Sequence, residues 1–326
     1  TNQYYGECLG SNLTYYETSN QLSSRIDLLI SGCLEDFKMY QILTDSCCDV
    51  PYELLDENNV DFISMYVTID GTEFADDLGR SFKIDDFYQQ IKDGAMPTTS
   101  QVNVGRYVEF FRSYAEKNIP ILYICFSSGM SGSYQSAIQA VELLKEDLPE
   151  AEVYVVDSLA ASGGEGLMVY EAAKKQQAGI PLEELYHWLE ENKLTYHHWV
   201  TVDDLNHLQR GGRISKTSAA IGGLMNIKPI ITVDVEGKLQ NVEKVRGRKK
   251  ALQLVADKIS EATTDPANQT IFITTSADQE GAEEVKRHLE ESIQPKEVRI
   301  FPLGTTIASH TGLGCIAVFT RGDKRN

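Results

Sequence analysis

Along much of this chain a short uncharged run rich in β-formers gives way to a polar turn, and the turn to apolar residues at helical spacing. Ile121-Leu122-Tyr123-Ile124-Cys125-Phe126 is one such run, continuous enough for a strand of a parallel sheet covered on both faces. Ile138, Val141, Leu144 and Leu148 follow at helical spacing ahead of Pro149, which places Ser127 to Ser136 at a strand-to-helix turn. Ile42-Leu43-Thr44 leads in the same way into the turn from Asp45 to Pro51, and Phe62 to Ile69 reads as another strand. Ile84 to Lys92 is helical. Pro97-Thr98-Thr99-Ser100-Gln101 is expected to open a helix carrying Val104, Val108 and Phe111, with a hydroxyl as its cap. Val153 to Val156 forms a strand ending at Asp157-Ser158, and a helix over about 165–177 stops at Gly179 and Pro181.

The second half varies the pattern. A helix over 182–192 precedes a strand from Trp199 to Val202, and Ile227 to Val235 and Lys238 to Val245 flank Glu236-Gly237 as a β-hairpin. A helix starting in Arg246-Gly247-Arg248-Lys249-Lys250, strands at 271–275, 297–301 and 315–319, and a helix at 279–293 complete it. The expected fold class is α/β: two α/β domains, the first an open, mostly parallel sheet whose ligands gather beyond the carboxyl ends of its strands. The division reads as an N-terminal helical extension at 1–37, a first α/β domain at 38–180 and a second at 181–326. Leu22, Ile26, Leu29, Ile30 and Cys33 form the apolar face of the extension.

Size and charge narrow the function. At 326 residues and 42% hydrophobic, the chain can bury a sizeable core. A net charge of -18 disfavours nucleic acid, and with it a DNA-binding regulator, and disfavours resting on anionic lipid. No apolar stretch approaches the roughly 18 to 20 residues of a membrane-spanning helix, and Leu28-Leu29-Ile30, following Asp27, is too short for a signal-peptide core. The six cysteines, at 8, 33, 47, 48, 125 and 315, contain no C-x-x-C pair, which suggests reduced, buried thiols and a cytoplasmic location.

The candidate chemistry lies in the turns. Ser127-Ser128-Gly129 at a helix start offers unpaired N–H groups and a close approach to the backbone, suited to a carboxylate or phosphate, although the same residues serve simply as turn formers. Gly211-Gly212-Arg213-Ile214-Ser215-Lys216-Thr217 ends like a phosphate-binding loop, but Ser215 stands where that loop needs glycine. Gly129 to Ser133 falls one residue short of a G-x-S-x-G elbow, which keeps open a serine hydrolase using Ser128 or Ser131 with His310. His310, set among small residues, could donate to a bound anion or act as a base. The histidines at 187, 197 and 198 give no metal spacing, and Asp203-Asp204 reads more readily as a solvated or capping pair than as a magnesium site. No cofactor is called for.

Five stretches in order resemble the DegV family, the bacterial fatty-acid-binding subunits of fatty acid kinase. They are Thr44 to Pro51, Thr98-Thr99-Ser100-Gln101, Ser127 to Ala137, Asp203-Asp204-Leu205 with Gly211 to Ser215, and His310-Thr311-Gly312; the likeness runs from about residue 40 to 320. Val102-Asn103 and Leu313 depart from the Pro-Ser and Pro that often follow the second and last motifs. The resemblance implies a carrier with no catalytic residues of its own, a buried acyl tunnel near the domain junction, and a part in phospholipid metabolism. It implies head-group contacts from Thr99, Ser128 and His310. With their neighbours Thr98, Ser127, Gly129 and Thr311, and with Arg213, these form the expected ligand-binding set. A long-chain fatty acid or acyl-phosphate, a separate kinase and transient contact with a membrane are the implied partners. Burial of methylenes at roughly 0.8 kcal/mol each gives an acyl chain of about sixteen carbons on the order of 10 kcal/mol before binding costs, so the tail would hold the ligand and the polar groups would orient it.

Overall fold

The computed structural model describes residues 39–203, 205–215 and 226–326. The expected extension at 1–37, Cys8, Cys33, Asp204, Lys216 and Thr217 lie outside the described residues.

The continuous apolar runs form a four-stranded, wholly parallel sheet in the order β2-β1-β6-β7. Its strands are β1 (Gln41–Asp45), β2 (Val60–Ile63), β6 (Ile121–Cys125) and β7 (Val153–Asp157). All five residues of β6 are buried, as a strand covered on both faces requires. A second, mixed sheet of six strands runs β10-β9-β8-β13-β11-β12. It contains β8 (Tyr196–Thr201), β9 (Ile227–Val233), β10 (Leu239–Arg246), β11 (Thr270–Thr275), β12 (Glu297–Pro302) and β13 (Ile316–Arg321). β11 and β12 pair in parallel; the other neighbours are antiparallel.

Two expectations are corrected here. The strand read from Phe62 to Ile69 is two strands: β2 ends at Ile63 in the parallel sheet, and β3 (Tyr66–Ile69) belongs to a separate antiparallel sheet, ordered β4-β3-β5. A continuous β-rich run carries no mark of the point at which a chain changes sheets. The hydroxyl cluster at 98–100 does not cap a helix but forms β5 (Thr98–Ser100), paired with β3, while β4 spans Thr72–Ala75. The helix that follows, α3 (Val104–Ala115), is capped by Asn103, whose side chain accepts from the Arg106 N–H at 3.0 Å.

Residues 40–326 form one compact unit. The strands of the parallel sheet all precede residue 158 and those of the six-stranded sheet all follow residue 195. Between the sheets runs α5 (Gly163–Gln177), against β1 and β6 on one side and β8, β11 and β13 on the other. Its first turn is glycine-rich because the packing leaves no room for side chains. A Cβ on Gly163 would lie 2.6 Å from the Phe319 ring, and one on Gly164 would lie 2.1 Å from His198 Nε2. One apolar cluster therefore joins the sheets, with Ile42, Leu122 and Val156 from the first and Ile231, Phe272 and Phe319 from the second.

Candidate functional site

An apolar cavity lies between the face of the six-stranded sheet and the loops at the carboxyl ends of the parallel one. The sheet contributes alternate residues of three neighbouring strands: His198 and Val200, Ala317 and Phe319, Ile231 and Val233. The loops contribute Cys47, Phe126, Met130, Ala161 and Ser162. Along one side runs α10 (Thr305–Thr311), which with its approach presents Leu303, Thr306, Ile307, His310 and Thr311, the three-and-four spacing of a single helical face. The free space is small, about 90 Å³, a slot between the sheet and the helix.

The polar groups gather at the carboxyl end of α10. His310 lies in the last turn of this seven-residue helix, too short for its periodicity to stand out. Its Nε2 is 2.7 Å from Thr99 Oγ1, and its Nδ1 is buried without a partner. Burial, reinforced by Arg213, Arg210 and His207, brings the His310 pKa down to about 4, so the imidazole is neutral at neutral pH and can donate one hydrogen bond. Arg213 lines the same end, its Nε donating to the Met130 carbonyl at 3.2 Å. Arg213, Met130 and Leu239 also border an outer cleft of about 480 Å³, with Gly129, Gly212 and Lys238 on its rim, so the polar end of the slot faces a surface opening.

Of the expected ligand set, Thr99, Arg213, His310 and Thr311 line the cavity, and Thr98, Ser127, Ser128 and Gly129 do not. Thr99 points inward from β5, whereas Thr98 is exposed. The Ser127 hydroxyl is spent on the Gly237 carbonyl at 2.8 Å, which ties this loop to the turn between β9 and β10. A Cβ on Gly129 would lie 2.4 Å from the Glu236 carbonyl oxygen in the same turn, so glycine permits that contact. Ser128 is exposed, and its N–H donates to Asp157 at 3.1 Å. Of the serines in the 127–133 stretch it is Ser131 that lines the cavity, and it shares a 2.9 Å hydrogen bond with Ser133 Oγ. Among the described residues the hydroxyl bonded to His310 is that of Thr99, whereas Ser128 bonds to Asp157 through its N–H and Ser131 to Ser133 through its hydroxyl.

Two further placements bear on the expectations. Asp203 pairs with Lys228 at 2.6 Å. Arg248, in the basic cluster, grips Asp278 through Nε and a terminal nitrogen, while Arg246, Lys249 and Lys250 are exposed.

Sequence reasoning passed over Asp45. Its carboxylate, fully buried at the end of β1, accepts from the N–H groups of Cys47 and Phe126 at 3.0 and 2.9 Å and from the Tyr123 hydroxyl at 3.0 Å. It thereby fixes two cavity-lining loops from below. Burial pushes its pKa up to about 6 against the pull of these hydrogen bonds. A lone aspartate after a strand reads as a turn residue, and only the fold brings the second loop to it.

Residues 39–322 match the family model described as uncharacterised protein, DegV family. A DegV domain-containing protein of Clostridium perfringens is 42% identical over 288 residues, which cover 88% of this chain and 99% of that one. Among solved structures, a DegV family protein of Ruminococcus gnavus with vaccenic acid superposes with a TM-score of 0.78 at 27% identity, covering 86% of this chain and 99% of that one. A stearic acid-binding protein of Eubacterium ventriosum gives 0.78 at 28%, covering 87% and 98%.

Proposed function

The chain belongs to the DegV family, and from that premise we propose that it binds a long-chain fatty acid and presents the carboxylate to a separate fatty acid kinase. The observation that carries this reading is the apolar slot with Thr99, His310 and Arg213 gathered at one end, beside an opening. In this arrangement the tail lies along α10 and the six-stranded sheet, and burial of its methylenes supplies most of the affinity. Thr99 donates its hydroxyl proton to the carboxylate, neutral His310 steadies Thr99 or donates in turn, and Arg213 supplies the positive charge. The head group would then sit where the outer cleft lets a partner reach it. The bound acids of the Ruminococcus gnavus and Eubacterium ventriosum proteins support an acyl ligand of this class.

Under this reading the chain is a cytoplasmic carrier, the kinase supplies ATP and the phosphoryl-transfer chemistry, and the first and second α/β domains meet along the slot. Organic extraction of the purified protein followed by mass spectrometry is expected to release a fatty acid. Replacing Thr99 by Val, which keeps the shape and removes the hydroxyl, is expected to weaken binding of that acid by about tenfold or more. Extracts without fatty acid, together with no binding of added acids, would rule the reading out.

A further inference from the structure

The end of the slot away from His310 is closed by two side chains, Ser162 and behind it Asp49. Ser162 lines the slot, and its hydroxyl donates to Asp49 Oδ2 at 2.5 Å and shares a 3.0 Å hydrogen bond with Thr274. Asp49 Oδ1 accepts the Gly304 N–H at 2.9 Å. Beyond the wall, Asp49 and Gly304 line a separate surface cleft of about 400 Å³, whose other walls include Val50, Leu78, Phe82 and Ile84. The slot and the cleft therefore meet back to back across Ser162 and Asp49.

The elements along the slot measure its straight run. Cys315, Ala317 and Phe319 line it at alternate positions, and four residues of strand span about 13 Å. Leu303 to Thr311 on the α10 side spans about 12 Å at the helical rise. Carbon–carbon bonds of ~1.5 Å at tetrahedral angles advance an extended chain by ~1.25 Å each, so about ten carbons lie between the polar end and the wall. A longer tail has to bend or stop at Ser162. The backbone at Ser162 is held at φ 53° and ψ -140°, a conformation costly for any residue with a Cβ, and the hydrogen bonds to Asp49 and Thr274 keep it there.

We propose that Ser162, braced by Asp49, is the end stop that sets the longest acyl chain this protein accepts. The proposal rests on the fatty-acid reading above and adds a residue that decides specificity. Glycine suits the backbone at this position, so Ser162→Gly is expected to fold while deepening the slot by one side chain and freeing Asp49, the remaining barrier to the cleft, from its brace. Binding would be measured by competition over a series of saturated fatty acids lengthened two carbons at a time. The variant is expected to bind the acid two carbons beyond the parent's optimum about tenfold more tightly than the parent does, with shorter acids unchanged. Adding Lys83→Trp, an exposed position on the cleft rim, is expected to reverse that gain. Ser162→Cys, with its larger atom at the stop, is expected to move the optimum to shorter acids, and it decides the matter if the glycine variant does not fold. Length profiles identical to the parent's would overturn the end stop and leave the carrier reading intact. Failure of the parent to bind any acid would overturn both.

Discussion

His310 shows how a residue's role is set by its surroundings. A histidine in an unstructured loop would titrate near its ordinary value, but here burial and the neighbouring Arg213, Arg210 and His207 hold it neutral down to about pH 4. Below its unfolded pKa of about 6.5 the unfolded chain binds a proton that the folded chain refuses, so stability falls as pH drops from about 6.5 toward 4. Between neutral pH and pH ~4.5 this one group is expected to cost on the order of 2–3 kcal/mol. His310→Gln, which can still bond to Thr99, should flatten that part of the stability profile in urea titrations run across the pH range. An unchanged profile would mean that the imidazole is not desolvated as described. A bound carboxylate favours the imidazolium, so ligand should also soften the acid loss in the parent.

At the scale of elements, the stretch from Thr98 to Asn103 separates two readings of one sequence. Hydroxyls ahead of an apolar helix satisfy the rule for a cap, yet Thr98 to Ser100 pair with β3 and the cap is Asn103. Asn103→Ala should therefore destabilise the protein by about 1 kcal/mol, while Thr98→Ala, on an exposed face, should stay within about 0.5 kcal/mol. Equal losses in chemical denaturation would restore the reading that places the helix start at the hydroxyls. The outcome matters for the site, because the extended backbone at Thr98–Ser100 brings Thr99 into the slot and leaves Thr98 outside it.

At the scale of the whole molecule, charge bears on the proposed partner. A chain with a net charge of -18 displays exposed Arg246, Lys249 and Lys250 together, and if the proposed carrier function holds, this patch would be where the kinase docks. Arg248 is not part of that exposed set. Its ion pair with Asp278 joins the helix at Arg248–Ala262 to the cap of the helix at Gln279–Ser292, so Arg248→Glu is expected to destabilise the fold by about 1–3 kcal/mol through two facing carboxylates. The cleaner test reverses the other three charges. That variant should keep its fatty acid and its stability while phosphorylation by the kinase falls about tenfold, more steeply at low salt. Undiminished phosphorylation would remove docking from this patch.

Periodicity and turn chemistry made the sequence legible wherever the signal is local. The covered strand at 121–125, the glycine and proline that end the helix at 163–177, the hairpin around Glu236-Gly237 and the family likeness of the Thr99, Ser127 to Ala137, Arg213 and His310 stretches could all be read from neighbouring residues. Tertiary structure alone decided which members of those stretches share a space. Adjacent positions on an extended segment face opposite ways, so Thr99 lines the slot and Thr98 does not. A hydroxyl serves one site at a time, and the Gly237 carbonyl, 110 residues away, takes that of Ser127. Asp45, Ser162 and Asp49 gain their roles from partners far along the chain, with contacts fixed by the packing of two sheets around one helix rather than by any pattern in their own neighbourhood.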